Sequence, residues 1–236
     1  MKNETFSLFA TYPELEETID DLCQGVPWRV TGASTLLYDA QERFYFEITK
    51  PKHWRFLGNS GHVIVGLGAI GGSIKPGEAI LDCLRREIEE EVDATVTIQS
   101  SDKTYILYEE ESVVMLSLPA RRLPCPFLWT VSKNVYRRHT HPQYPILAIA
   151  TFVAQLEEAP SLGDLFGLLI VPSDRLREVF TDDKIPFREV KEIPGVSAVV
   201  RETLPPGSVL SPVWTGKTLQ RLLQRDYLHD MKGAIS

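Results

Sequence analysis

Residues 62–94 run in an order that few folds accommodate: an apolar stretch, a pair of glycines, a short loop and an acidic helix. HVIVGLGAI, 62–70, reads as a buried strand that leads directly into Gly71-Gly72. From about Ala79 the apolar residues Leu81, Leu84, Ile88 and Val92 recur at spacings of three and four, the stripe of an amphipathic helix that lies on a sheet. Glu87, Glu90 and Glu91 fall at i, i+3 and i+4, so they share another side of that helix. Three neighbouring carboxylates destabilise a helix unless something offsets their charge. A hard divalent cation such as Mg²⁺ does so, because it prefers carboxylate oxygens. The plain alternative is a solvated helix laced with ion pairs. Such a helix needs neither Gly72 nor the apolar run before it.

The same residues carry a resemblance. Gly72, Glu78, Arg86, Glu87, Ile88, Glu90 and Glu91 match the pattern G-x5-E-x7-R-E-U-x-E-E-x-G-U, with U a bulky apolar residue, which is the Nudix box. The chain therefore resembles the Nudix hydrolases over the 23 residues of the box. It departs at Asp93, where the family usually has Gly, and at the small Ala94. A Gly there ends the helix in a left-handed conformation, and Asp is one of the few other residues that adopts it. The resemblance implies a hydrolase that uses Mg²⁺ or Mn²⁺ to cleave a nucleoside diphosphate linked to another group. It also implies metal ligands at Glu87, Glu90 and Glu91, joined by a backbone carbonyl at Gly71 or Gly72. Arg86 is spaced to orient Glu90, and Glu78 is expected to hold the loop and the helix start or to be a simple charge at the helix N-terminus.

The layout is that of an α/β sandwich with a mixed sheet, similar to the Nudix fold over roughly residues 30–181. PELEETIDDLCQ, 13–24, opens with Pro and acids, as helices do. Strands are expected at 34–38, 43–48, 103–108, 112–118, 146–155 and 166–171, and a helix at about 173–180. Three segments follow: an N-terminal helical piece over 1–29, the hydrolase domain over 30–181, and an extension over 182–236. Within the extension, 182–212 holds five prolines and little periodicity, so irregular structure is expected. Residues 216–228 read as an amphipathic helix with Leu219, Leu222, Leu223 and Tyr227 on one side, packed on the domain body or on a second copy in a homodimer.

A loop, EEAPSLGD, precedes the strand at 166–171. Many family members draw a further carboxylate from that place, which makes Asp164 a candidate general base, with Glu157 and Glu158 behind it. An Asp after Gly is otherwise a turn former. Residues 120–145 contain Arg121, Arg122, Lys133, Arg137 and Arg138 and no acid, in a chain of net charge −7. This reads as a long loop or insertion, with phosphate binding by Arg121, Arg122, Arg137 or Arg138 and base stacking on Trp129 or Tyr136 as its expected roles. A surface loop or an oligomer contact is the other account.

The acidic balance argues against broad nucleic-acid binding. Cys23, Cys83 and Cys125 are scattered and odd in number, which suits a reducing cytosol. No signal peptide and no membrane span are expected. The expected partner is a small nucleotide. A nucleotide-sensing module on a Nudix-like fold, without turnover, and a structural partner in a complex joined through the C-terminal extension are the competing readings.

Overall fold

A computed structural model describes residues 7–57, 62–133 and 141–228. In chain order the helices are α1 (Leu8–Thr11), α2 (Pro13–Cys23), α3 (Ile80–Val92), α4 (Leu176–Val179), α5 (Phe187–Val190) and α6 (Thr215–Gln224). The strands are β1 (Trp28–Tyr38), β2 (Arg43–Ile48), β3 (Arg55–Leu57), β4 (His62–Gly68), β5 (Ile70–Ser73), β6 (Val96–Gln99), β7 (Lys103–Tyr108), β8 (Ser112–Ser117), β9 (Leu128–Lys133), β10 (Ile146–Leu156), β11 (Gly167–Pro172), β12 (Ile185–Pro186), β13 (Ser197–Val200) and β14 (Ser208–Pro212).

The spine is the parallel pair β1 and β10, paired from Trp28 with Ile146 to Tyr38 with Gln155, with a bulge in β1 between Val30 and Gly32. Around it the sheet is mixed, in the order β12-β14-β4-β2-β1-β10-β9-β7-β8. Side-chain alternation divides the strands between two cores. Leu36, Tyr38, Phe44, Phe46 and Ile48 face one core, together with Leu176, Leu219 and Leu222 of α4 and α6. Ala33, Leu37 and Tyr45 face the other, together with Leu15, Ile19, Leu84 and Ile88 of α2 and α3. Helices thus cover both faces of a mixed sheet, giving an α/β/α sandwich. In α3 the stripe Leu81, Leu84, Ile88 and Val92 is buried. Each such side chain contributes about 1.5–3 kcal/mol when fully buried. Asp93 ends α3 at φ 44, ψ 51, in the left-handed region.

Two expectations about irregular segments change. The stretch 182–212 supplies β12, α5, β13 and β14. β13 pairs with β11, and β14 runs parallel to β4. These strands are short and separated by Pro-Gly turns, so no period builds up along the sequence. Within 120–145, β9 lies between β10 and β7. Trp129, expected on a loop, is fully buried and stacked on Phe9 at 5.6 Å. It is therefore not available to stack on a base, and Tyr136 lies outside the described residues. In α6, Leu219, Leu222 and Leu223 are buried on the domain body, whereas Tyr227 lies past the helix end and is 44% exposed.

Candidate active site

The site forms where β5 meets the C-terminal half of α3. β1 pairs first with β5, Ser34 opposite Gly71, and then with β2, Leu37 opposite Tyr45. This exchange of partners brings β2 and β5 to the same end of β1. Gly71 has φ +148, and a Cβ there would overlap the backbone of Ala33 and Ser34. Only glycine lets the two strands approach so closely. A Cβ on Gly72 would meet the carboxylate of Glu87, so that side chain rests directly on the glycine.

Arg86 organises the loop. Its Nε donates to Glu78 Oε1 at 2.7 Å and its Nη2 to Glu78 Oε2 at 3.0 Å. Nη1 donates to Glu87 at 2.6 Å and to Glu90 at 3.1 Å, and Nη2 reaches the Ser73 carbonyl at 3.1 Å. Glu78 also accepts from the Lys75 amide at 2.8 Å. Hydrogen bonding to Arg86 holds the Glu78 carboxyl down at about 2. One guanidinium therefore ties the loop to three acids of the box. Glu90 is the outermost of them, with half its side chain exposed, and Lys75 stands 3.7 Å from it.

Glu91 differs from its neighbours. It is 7% exposed, and its Oε2 accepts from the Gly71 amide at 2.9 Å. Beside it is Glu47 of β2, 8% exposed. Burial and the charge of Glu47 push Glu91 up to about 8, with Glu87 and Asp164 acting in the same sense. Burial pushes Glu47 up to about 7, against the pull of Lys50. Sequence reasoning missed Glu47. Its signal was there: it is the lone acid in the apolar strand RFYFEI, and a buried charge is the informative exception in a core.

Asp164 joins this group through the backbone. Its amide donates to the Glu90 carbonyl at 3.0 Å, and Gly163 before it has no room for a Cβ against the end of α3. The carboxylate accepts from Lys50 Nζ at 2.8 Å. Burial opposes the charge on Lys50, but the bond to Asp164 outweighs it and the lysine pKa is raised. Arg201, just after β13, holds the same loop. It donates to the carbonyls of Leu165 at 2.6 Å, Leu162 at 3.3 Å and Gly163. An open cavity of about 370 Å³ lies here, lined by Lys50, Lys52, Asp164, Phe166 and Arg201. The extension thus reaches the site, which sequence reasoning did not foresee. Arg201→Ala should speed amide hydrogen exchange across residues 161–165 and cost about 1–2 kcal/mol of stability. Unchanged exchange there would show that the loop holds itself.

Glu157, Glu158 and Arg121 are elsewhere. Glu157 accepts from Thr97 and Glu158 from the Thr95 amide, pinning the loop to β6 and its approach. Arg121 pairs with Glu14, donates to the Thr11 carbonyl and lies over the Tyr12 ring at 5.2 Å. It fastens α2 and is not in the acidic cluster, because an acid in the first turn of a helix is the nearer partner. Arg122 is exposed. Arg137 and Arg138 lie outside the described residues.

No protein-family model matches the chain, and no curated protein matches its sequence. Similar solved structures include a NUDIX-family hydrolase from Clostridium perfringens, 12% identical over 62% of this chain and 83% of that one, with a TM-score of 0.39. Another is the MutT protein from Methanosarcina mazei Go1, at 10% identity, 65% and 83% coverage and a TM-score of 0.38. A third is the E. coli dihydroneopterin triphosphate pyrophosphohydrolase, at 11% identity, 61% and 80% coverage and a TM-score of 0.33. Likeness at this level carries no argument about activity.

The residues themselves test the metal. Among the described residues, no group of three or more His, Cys, Asp or Glu side chains is already set out to hold an ion. Arg86 draws Glu87 and Glu90 to itself, and Lys50 draws Asp164. In kind the donors fit a hard divalent cation: carboxylate oxygens, a glycine carbonyl beside them, and two buried acids whose mutual repulsion such a charge would relieve. The fit is therefore one of chemistry, since Glu87, Glu90 and Asp164 are each at present paired with a cation of the chain.

Proposed function

We propose that the chain is a divalent-metal-dependent hydrolase of the Nudix type, cleaving the pyrophosphate bond of a nucleoside diphosphate linked to another group. The observation that carries this reading is the buried pair Glu47 and Glu91 at the end of the acidic helix, where Glu91 accepts the Gly71 amide. Burying two carboxylates together costs several kcal/mol unless a cation accompanies them. A fold that needed only stability would place apolar residues there.

Glu87, Glu90 and Glu91, with the carbonyl of Gly71 or Gly72, would hold Mg²⁺ or Mn²⁺, and Glu47 would stand behind Glu91. Bound there, the ion would offset the charge of the diphosphate and acidify a water. The chain's own part is to place groups for in-line attack at phosphorus. Lys50 is positioned to exchange Asp164 for a substrate phosphate oxygen. That exchange frees an Asp164 oxygen to take a proton from the attacking water. Arg86 fixes the rotamers of Glu87 and Glu90.

The test is a panel of nucleoside triphosphates, dinucleotides, ADP-ribose and nucleotide sugars assayed for product release. We expect turnover of at least one member with Mg²⁺ or Mn²⁺, lost in excess chelator. Undiminished turnover in chelator would rule out the mechanism. The pairing of Asp164 with Lys50 and of Glu87 and Glu90 with Arg86 also suits a sensor that binds nucleotide without turnover. A sensor would show nucleotide-dependent melting shifts and no product.

A further inference from the structure

Trp214 stands out among the large apolar side chains because it combines exposure with a costly backbone. It is 48% exposed. It sits between β14 and α6 at φ 46, ψ −121, a conformation that a bulky residue rarely takes. Strain of this kind persists only where the surrounding structure enforces it, and it gathers at ligand sites. Here the enforcement is visible. Gly216, at the first turn of α6, leaves no space for a Cβ against the Leu67 carbonyl, and Val213 donates its amide to that same carbonyl at 3.0 Å. The chain is pinned on both sides of Trp214, and the indole is left facing outward.

Its location supplies the second observation. A Cβ built on Gly68 would lie 3.7 Å from Glu47 Oε2 and 3.9 Å from Trp214 Cε3. The indole and the buried carboxylate thus flank the same glycine. His53 meets the indole edge-on, with ring centroids 6.4 Å apart and planes at 84°. It belongs to the short turn Pro51–His53, which follows Lys50 and contains Lys52. The charges of both lysines act on Glu47. An aromatic surface, two ammonium groups and a carboxylate cluster therefore lie side by side.

We propose that Trp214 is the stacking platform for the base of a nucleotide whose phosphates lie over Lys50, Lys52 and the acidic cluster. This rests on the pyrophosphohydrolase reading and assigns the base-binding subsite to the extension. The ring offers a flat apolar face of fixed orientation, to which any base can stack. Recognition by stacking alone is tolerant, so purine and pyrimidine nucleotides should both bind.

The test is calorimetric binding, with Mg²⁺, of α,β-methylene-ADP and of methylene diphosphonate, which lacks the nucleoside. Trp214→Ala should weaken the nucleotide analogue about tenfold or more. It should leave the diphosphonate within about twofold, and Trp214→Phe should keep most nucleotide affinity. The proposal is overturned if Trp214→Ala binds the analogue as the wild type does, or loses both probes alike. It is also overturned if the wild type binds the diphosphonate as tightly as the nucleotide. The two readings fail separately. Trp214-dependent binding without turnover of any panel member removes the hydrolase and keeps the platform. Turnover indifferent to Trp214 does the reverse.

Discussion

Glu91→Gln should remove most turnover and, in the metal-free protein at pH 8, raise the melting temperature. The opposed effects have one cause. Glu91 is buried beside Glu47, and burial together with that neighbour pushes its carboxyl up to about 8, from an ordinary value of 4.5. A carboxyl whose folded pKa exceeds its unfolded one keeps its proton longer when folded. Its contribution to stability is therefore full in acid and is lost as the pH climbs from about 4.5 through 8. Glutamine has no proton to lose, and its carbonyl can still accept the Gly71 amide that Glu91 now accepts at 2.9 Å. The variant and the wild type should melt alike near pH 5. By pH 8 the variant should be ahead on the order of a few kcal/mol, or several degrees. Mg²⁺ should raise wild-type melting most at high pH and move the variant much less, since binding a cation is what makes the charge tolerable. Turnover should fall about 100-fold or more, the loss expected when a metal site gives up a charged ligand. Melting curves at pH 5 and pH 8, with and without Mg²⁺, read the stability half directly. A variant that melts below the wild type at pH 8 would show that Glu91 is not a strained, cation-seeking acid.

What the sequence revealed of this site depended on how local each signal was. The box helix was legible because its stripe and its acids repeat within thirteen residues, and Arg86 meets Glu90 one turn away. Glu78 was legible for the same reason, since the loop folds back within eight residues. Asp164 was reachable only through the family pattern, because nothing near it announces that its amide bonds to Glu90 across a long separation in sequence. Glu47 and Arg201 act through pairings that no local period encodes. β2 must lie against β11 and β4, and β13 against β11, before either side chain has a place. In the basic run, Arg121 and Trp129 misled for the complementary reason. Charge composition registers that cations are present but not that Arg121 has Glu14 at hand, nor that Trp129 is a core residue of a strand.

The adjacent glycines should separate fold from chemistry. Gly71 sits at φ +148, where an L side chain is strained, and its added Cβ would overlap backbone atoms of β1. Backbone in a sheet cannot step aside, so β5 would have to leave β1. Gly71→Ala should cost about 2–4 kcal/mol and lower the melting temperature by roughly 5–15 °C. At Gly72 the obstructing atoms are instead the carboxylate of Glu87, the far end of a flexible side chain. That side chain can swing outward, at the price of its bond to Arg86 at 2.6 Å. The bond is short and mostly shielded from solvent, yet Arg86 keeps Glu78 and the Ser73 carbonyl, so the loop should hold. Gly72→Ala should therefore melt within about 3 °C of the wild type. Its turnover should fall about 100-fold, because Glu87 can no longer rest where a cation would sit beside Glu91. Two measurements on each variant, a melting curve and a rate with saturating Mg²⁺, decide the matter. If both variants lose stability alike, Gly72 is a structural glycine and the seat of Glu87 upon it has no part in the chemistry. If Gly72→Ala turns over normally, Glu87 is not a ligand, and the acids that matter are Glu90, Glu91, Glu47 and Asp164.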